Sequence, residues 1–132
     1  MVTRVKDMMI TDVVTIEGSA TLMEALELML ARKVKSAVAP PRHDHDPYAI
    51  VTFTDIARKV LAEDEQISML NVFDVMSRPA YSAEPEWDIR YAAAMMVKLG
   101  VSKLIVTEGG KLVGIVSLSD LVRSVSGFAK GG

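Results

Sequence analysis

The chain has 132 residues, no cysteine and a formal net charge of −2 at pH 7, and half of its residues are hydrophobic. The lack of cysteine excludes disulfide bonds, a thiol nucleophile and thiolate metal sites. The slightly acidic balance gives no support to binding of nucleic acid or of an anionic membrane. Because no apolar run is long enough for a membrane-spanning helix or a signal peptide, we expect a soluble, cytoplasmic protein with one compact core.

The first half of the sequence predicts a strand, a helix, two strands and a second helix. A short β-branched run over residues 12–16 predicts the first strand. Thr21 begins a capping-box pattern, and the apolar residues after it recur at helical spacing: Leu22, Ala25, Leu26, Met29 and Leu30. Residues 37–39 and 49–53 predict two strands around a proline-rich polar loop. Asp55 then opens the second helix.

The second half predicts the same order of elements. Residues 80–82 give the short strand, and Asp88 takes the cap position of the first helix. Strands over residues 103–107 and 112–118 flank a Glu-Gly-Gly-Lys turn, which is typical of a β-hairpin. The last helix is predicted to begin at Asp120.

The two halves are copies of one unit. Asp7-Met8-Met9 recurs as Asp74-Val75-Met76, 67 residues later, and the apolar helix positions match at the same offset. The offset falls to 65 after the loop between Ser36 and Ile50, so this loop carries two extra residues in the first copy. Self-similarity over most of a chain indicates a repeat architecture.

We therefore predict an α+β fold of two pseudo-symmetric β-α-β-β-α repeats. The first repeat covers residues 1–67 and the second residues 68–127, and residues 128–132 form a tail. A small sheet with two helices leaves one apolar face uncovered. The two copies are accordingly expected to pack sheet to sheet, with two equivalent clefts between them.

A hydroxyl-x-x-Asp pattern stands at both predicted strand-to-helix corners. Thr52 and Asp55 form the first, and Ser117 and Asp120 form the second, 65 residues later. Helix capping alone is the simpler interpretation, since an acidic side chain at a helix start is common. The duplication instead favours a ribose site, because a carboxylate accepts two hydrogen bonds from a vicinal diol.

The duplicated order and spacing resemble a tandem pair of cystathionine-β-synthase (CBS) domains, also called a Bateman module. The resemblance covers nearly the whole chain and rests on residues 5–9 and 72–76, 24–29 and 92–96, and 111–120. It implies a regulatory module that binds an adenine nucleotide such as AMP, ADP or ATP, and that is not an enzyme and has no cofactor. It also implies a homodimer and an unknown protein target.

The resemblance further implies which residues line each cleft. One cleft would combine Thr52 and Asp55 with Tyr81, Ser102 and Lys103. The other would combine Ser117 and Asp120 with Val14, Lys35 and Ser36. Arg58 and Arg123 lie one helical turn past the two aspartates and are expected to approach a phosphate.

Four other interpretations of the sequence are a metal site, a scaffold without a ligand, a sensor of S-adenosylmethionine and an enzyme. His43 and His45 alternate with acidic residues in the proline-bounded loop, but an extended loop presents at most two good ligands on one side, so no metal site is predicted. A dimerisation or protein-interaction scaffold without a ligand, or a sensor of S-adenosylmethionine, is the alternative function. No nucleophile and base stand in a recognisable order, so the enzyme hypothesis is the weakest.

Overall fold

A computed structural model describes residues 2–126 of the chain, and the predicted tail, residues 128–132, lies outside the described residues. It contains both helices and strands, which confirms the α+β prediction. The helices are α1 (Val5–Met8), α2 (Leu22–Arg32), α3 (Phe53–Ile56), α4 (Ile89–Leu99) and α5 (Leu118–Ser126). The strands are β1 (Ser36–Ala39), β2 (Ala49–Thr52), β3 (Ser82–Ala83), β4 (Lys103–Glu108) and β5 (Lys111–Ser117).

Three further helical segments complete the described part. Helix α3 continues directly into a π-helix, Ala57–Ala62, and two single 3₁₀ turns follow at Ile67–Met69 and Val72–Asp74. No helix within residues 2–126 is both long enough and apolar enough to cross a membrane.

The described chain divides into two compact units that do not follow the halves of the sequence. The first unit is residues 14–80, and the second is residues 2–13 together with residues 81–126. The segment that opens each repeat therefore belongs to the unit built by the other repeat. The repeat boundaries predicted from the sequence stay a prediction.

The same backbone hydrogen bonds hold the opening segment in both units. In the second unit the N–H of Val5 donates to the carbonyl of Trp87 (2.8 Å), and in the first unit the N–H of Val72 donates to the carbonyl of Ala20 (2.9 Å). The two donors, Val5 and Val72, are 67 positions apart in the sequence, and so are the two acceptors, Ala20 and Trp87. The sequence repeat is thus also a repeat of hydrogen bonds.

The first unit has a two-stranded antiparallel sheet, in which Ser36 lies opposite Thr52. The strand predicted over residues 12–16 is wrong in extent and shrinks to one parallel bridge between Thr15 and Val38. The N–H of Val38 donates to the carbonyl of Val14, and the carbonyl of Val38 accepts the N–H of Ile16, so the two bonds enclose Thr15 as a single paired residue.

The second unit has a three-stranded sheet with β4 in the centre, parallel to β3 and antiparallel to β5. The strand predicted over residues 80–82 lies one residue later, at Ser82–Ala83. The predicted hairpin turn is confirmed, and Gly109 and Gly110 both have a positive φ (59° and 80°). Such a pair of conformations suits a two-residue turn that follows the twist of the strands.

The helices predicted to begin at Asp55 and Asp120 begin two residues earlier, at Phe53 and Leu118. The reason is that the hydroxyl residue before each helix is the cap. The side chain of Thr52 accepts the N–H of Asp55, and in the second unit Ser117 does the same for Asp120. Strands β2 and β5 consequently end one residue before their predicted ends.

Each unit has its own apolar core. Helix α2 buries Leu22, Ala25 and Met29 completely, whereas Leu30 is 59% exposed and does not belong to the predicted buried face. In the second unit the matching residues of α4, Ala92 and Met96, are buried in the same way. The predicted caps of α2 and α4 are confirmed, since Thr21 and Asp88 accept backbone N–H groups there.

Candidate ligand-binding corners

The first corner lies where β2 runs into α3. The carboxylate of Asp55 turns back toward the strand, and its Oδ2 accepts hydrogen bonds from the N–H and from the hydroxyl of Thr52, both at 2.9 Å. Its Oδ1 accepts a hydrogen bond from Nη2 of Arg58 at 2.8 Å. Both carboxylate oxygens are therefore bound within the corner.

The second corner lies where β5 runs into α5. The hydroxyl of Ser117 accepts the N–H of Asp120 at 3.1 Å, and Oδ1 of Asp120 accepts a hydrogen bond from Nη1 of Arg123 at 2.9 Å. Among residues 2–126, every hydrogen bond found at Asp120 uses its N–H or Oδ1. No buried side-chain oxygen there lacks a partner, so Oδ2 of Asp120 is in contact with solvent.

Both aspartates are nevertheless buried residues. Asp55 is 4% exposed and Asp120 is 3% exposed. A buried carboxylate needs hydrogen-bond or ion-pair partners, because an unpaired buried polar group costs roughly 1–3 kcal/mol, and a charged group costs more. The paired arginine and the first-turn amides of the helix supply it.

The structure places a polar pair beside each corner. The carbonyl of Lys35 accepts the N–H of Phe53 (3.0 Å), and Ser36 pairs with Thr52 across the sheet. In the second unit the carbonyl of Ser102 accepts the N–H of Leu118 (2.9 Å), and Lys103 pairs with Ser117. Each corner thus has the polar pair of its own unit as a neighbour. The grouping of a corner with residues of the other repeat stays a prediction.

Val14 and Tyr81, the residues expected beside a base, differ in their surroundings. Val14 is 5% exposed and belongs to the apolar core of the first unit. Tyr81 is 45% exposed, and its carbonyl accepts the N–H of Ile105 in the second unit. Of the two side chains, that of Tyr81 is the more accessible.

The pairing of the two arginines with the aspartates was not anticipated from the sequence. The approach of Arg58 and Arg123 to a phosphate group stays a prediction. The signal was present in the spacing, since Asp-x-x-Arg on a helix places the two side chains side by side. Its occurrence in both copies favours a built ion pair over two independent surface residues.

The comparison with known families agrees with this repeat. The sequence model of the CBS domain matches residues 5–62 and again residues 72–127. The chain belongs to the CBS-domain family. The two matched segments are in tandem, and each contains one hydroxyl-x-x-Asp corner.

Two relatives of the chain differ in length. The chain is 31% identical over 117 residues to the CBS domain-containing protein YhcV of Bacillus subtilis, which covers 89% of this chain and 81% of that protein. It is 30% identical over 113 residues to an uncharacterized protein of Methanopyrus kandleri, which covers 85% of this chain and 57% of that protein. The chain therefore spans little more than half the length of the latter relative.

Two solved CBS structures are similar in fold. A hexameric CBS-CP12 protein from bloom-forming cyanobacteria matches with a TM-score of 0.88 and 36% identity, over 92% of this chain and 70% of that chain. The CBS domain pair of protein MJ0100, solved in complex with 5′-methylthioadenosine and S-adenosyl-L-methionine, matches with a TM-score of 0.83 and 25% identity, over 96% of this chain and 98% of that chain.

Proposed function

We propose that the chain is a regulatory module that senses an adenosine-containing ligand, with the corner of Asp120 as the ribose-binding site. The observation that carries this proposal is the Oδ2 of Asp120, which accepts no hydrogen bond from the described residues although the carboxylate beside Ser117 is buried. A vicinal diol can donate to that oxygen. The ligands of the MJ0100 domain pair both contain adenosine, which supports the same ligand class.

The finer proposal is an adenine nucleotide, AMP, ADP or ATP. Helix-start amides of α5 and the nearby Lys103 suit a phosphate group. Binding would stabilise one conformation of the module and alter the surface that a protein target contacts, so regulation follows from a population shift and not from catalysis. The first corner has a structural role in this proposal, because both oxygens of Asp55 are already bound.

Titration calorimetry with AMP, ADP, ATP, 5′-methylthioadenosine and S-adenosylmethionine tests the proposal. We expect one site per chain for at least one ligand. Asp120→Ala should weaken that ligand about 10- to 100-fold, as expected for a lost charged hydrogen bond worth roughly 1.5–3 kcal/mol. The control is Arg90→Ala, because Arg90 lies in α4 and belongs to neither corner. Unchanged affinity in Asp120→Ala, with circular dichroism equal to wild type, would contradict the ribose role.

A second candidate is a protein-interaction scaffold, and the exposed apolar residues of the second unit favour it. Tyr91 and Val97 on α4 are 60% and 71% exposed, and Val122 and Val125 on α5 are 61% and 88% exposed. Apolar surface of this kind commonly mediates association, including the predicted homodimer. If none of the five ligands raises the melting temperature, the scaffold becomes the better proposal.

A further inference from the structure

A groove of about 490 Å³ opens in the first unit, apart from the corner of Asp55. It is lined by Arg42, Phe73, Met76 and Arg78. Arg42 belongs to the loop between β1 and β2, and the other three belong to the segment that opens the second repeat. The volume of the groove falls within the range of small-molecule sites, roughly 300–1,000 Å³.

The groove and the first corner are at opposite ends of the same strands. The loop of Arg42 connects Ala39 to Ala49, whereas Thr52 and Asp55 follow the other end of β2. The two ends of β2, Ala49 and Thr52, are three residue steps apart, a distance of about 10 Å. None of the residues that line the groove belongs to the corner of Thr52 and Asp55.

Asp46 holds the two sides of the groove together. Its Oδ2 accepts the backbone N–H of Arg42 at 2.9 Å, and its Oδ1 lies 3.6 Å from Nη1 of Arg78. The hydrogen bond from the backbone of Arg42 lowers the pKa of the Asp46 carboxyl below its usual value. The loop and the segment before Pro79 are thereby fixed side by side.

Two guanidinium groups and one carboxylate leave the groove with a net positive charge. The side chain of Asp46 is only 9% exposed, whereas that of Arg78 is 45% exposed. Phe73 is 50% exposed and Met76 is half-buried, so an apolar wall stands beside the cationic groups. Guanidinium groups bind phosphate and carboxylate in pairs of hydrogen bonds, and an exposed aromatic ring packs against a flat apolar group.

We propose that this groove binds a small organic anion that carries a phosphate or carboxylate group on an aromatic body. The inference does not depend on the proposed ribose site. It also concerns the first unit alone, because the matching residues of the second unit are Lys6, Met9 and Thr11, and Lys6 is paired with Glu86 at 2.6 Å. The glycine hairpin of the second copy has no counterpart of Arg42.

Phenyl phosphate is the probe, followed by titration calorimetry on the full chain. We expect it to bind more tightly than inorganic phosphate and than phenol, because only the complete probe uses both the cationic and the apolar wall. Arg42→Ala should weaken phenyl phosphate about tenfold or more, the effect of one charged hydrogen bond. Arg42 is the cleaner position, since its backbone N–H still reaches Asp46 in the variant. Phe73→Ala should reduce the preference for phenyl phosphate over inorganic phosphate.

Two controls separate this site from the corner of Asp120. Arg90→Ala removes a matched exposed arginine and should leave phenyl phosphate binding unchanged. Asp120→Ala should also leave it unchanged, whatever that variant does to adenosine ligands. The proposal is overturned if phenyl phosphate does not bind, if Arg42→Ala binds it as wild type does, or if Asp120→Ala abolishes its binding.

Discussion

The two corners share a motif and a depth of burial but differ in their hydrogen bonds. In the first corner, Asp55 folds back onto Thr52 and pairs with Arg58, so its carboxylate completes a capping box. In the second, Asp120 pairs with Arg123 through Oδ1, while its Oδ2 accepts no hydrogen bond from the described residues. The same four-residue pattern can thus build a corner in which both carboxylate oxygens are bonded and one in which only a single oxygen is bonded. The motif fixes where the carboxylate lies, and the neighbouring donors decide whether it can receive a ligand.

The largest effect that tests this comparison is expected in the stability of the Asp→Ala variants. Asp55→Ala removes three hydrogen bonds to a buried carboxylate, and we expect the free energy of unfolding to fall by about 2–4 kcal/mol after discounting the half-exposed arginine. Asp120→Ala removes one such side-chain bond and should cost about 1–2 kcal/mol. Urea unfolding of both variants measures the difference. Equal losses would mean that the two corners have the same structural role.

The segments that open the two repeats provide a second contrast. Ile10 pairs with Ile115 in the second unit, and Ser77 pairs with Ile50 in the first. Just before Ile115 the chain has Gly114, and a Cβ atom there would lie 2.8 Å from Sδ of Met9 and 3.0 Å from the carbonyl oxygen of Ile10. The matching residue of the first copy is Ala49, so only the second unit needs the close approach that glycine permits.

Gly114→Ala tests that requirement with the smallest possible change. The added methyl group overpacks against a backbone oxygen, and we expect a loss of about 1–3 kcal/mol in the free energy of unfolding. Gly18→Ala is the matched control, because its Cβ would meet the nearest atom, Cε of Met76, at an ordinary 3.6 Å. That substitution should be neutral or stabilise by about 0.4–1 kcal/mol through the unfolded state. Similar losses at both glycines would contradict the packing argument.

Local features of this fold were predictable from the sequence because they are local in origin. The cap at Thr21 and the Gly109-Gly110 turn each depend on a few neighbouring residues, and both are confirmed. The predicted helix starts lie two residues late, because the prediction begins each helix at its aspartate, whereas the hydroxyl residue three positions earlier is the cap. The repeat itself was visible because its residues recur at a constant offset.

Features that depend on distant contacts were not predictable. Nothing in residues 2–13 indicates that they pack with residues 81–126, since that choice is made by backbone hydrogen bonds such as Val5 to Trp87. The groove likewise depends on the ion pair between Asp46 and Arg78, which are 32 positions apart in the sequence. The difference in hydrogen bonding between Asp55 and Asp120 could not be foreseen either, because the two corners share one sequence pattern.

The smallest expected effect concerns the two matched helix caps and depends on pH. Hydrogen bonds from the side chain and then the backbone of Arg90 lower the pKa of Asp88 to about 2 from its usual 3.8. A lowered pKa in the folded state means that the stabilisation is complete above pH 4 and is lost as the pH falls toward 2. The cap of α2, Thr21, carries no proton that titrates in this range. The two caps therefore differ in pH dependence although they occupy equivalent positions.

Exchanging the two caps isolates that difference. In Asp88→Thr, the free energy of unfolding should decline less between pH 4 and pH 2 than it does in the wild type, because the replacement cap has no carboxylate to protonate. Thr21→Asp should show the opposite change, a steeper decline over the same interval. Urea unfolding at half-unit steps of pH measures both slopes. Parallel curves for Asp88→Thr and the wild type would show that Arg90 does not stabilise the ionised form of Asp88, since a group with the same pKa in the folded and unfolded chain adds no slope.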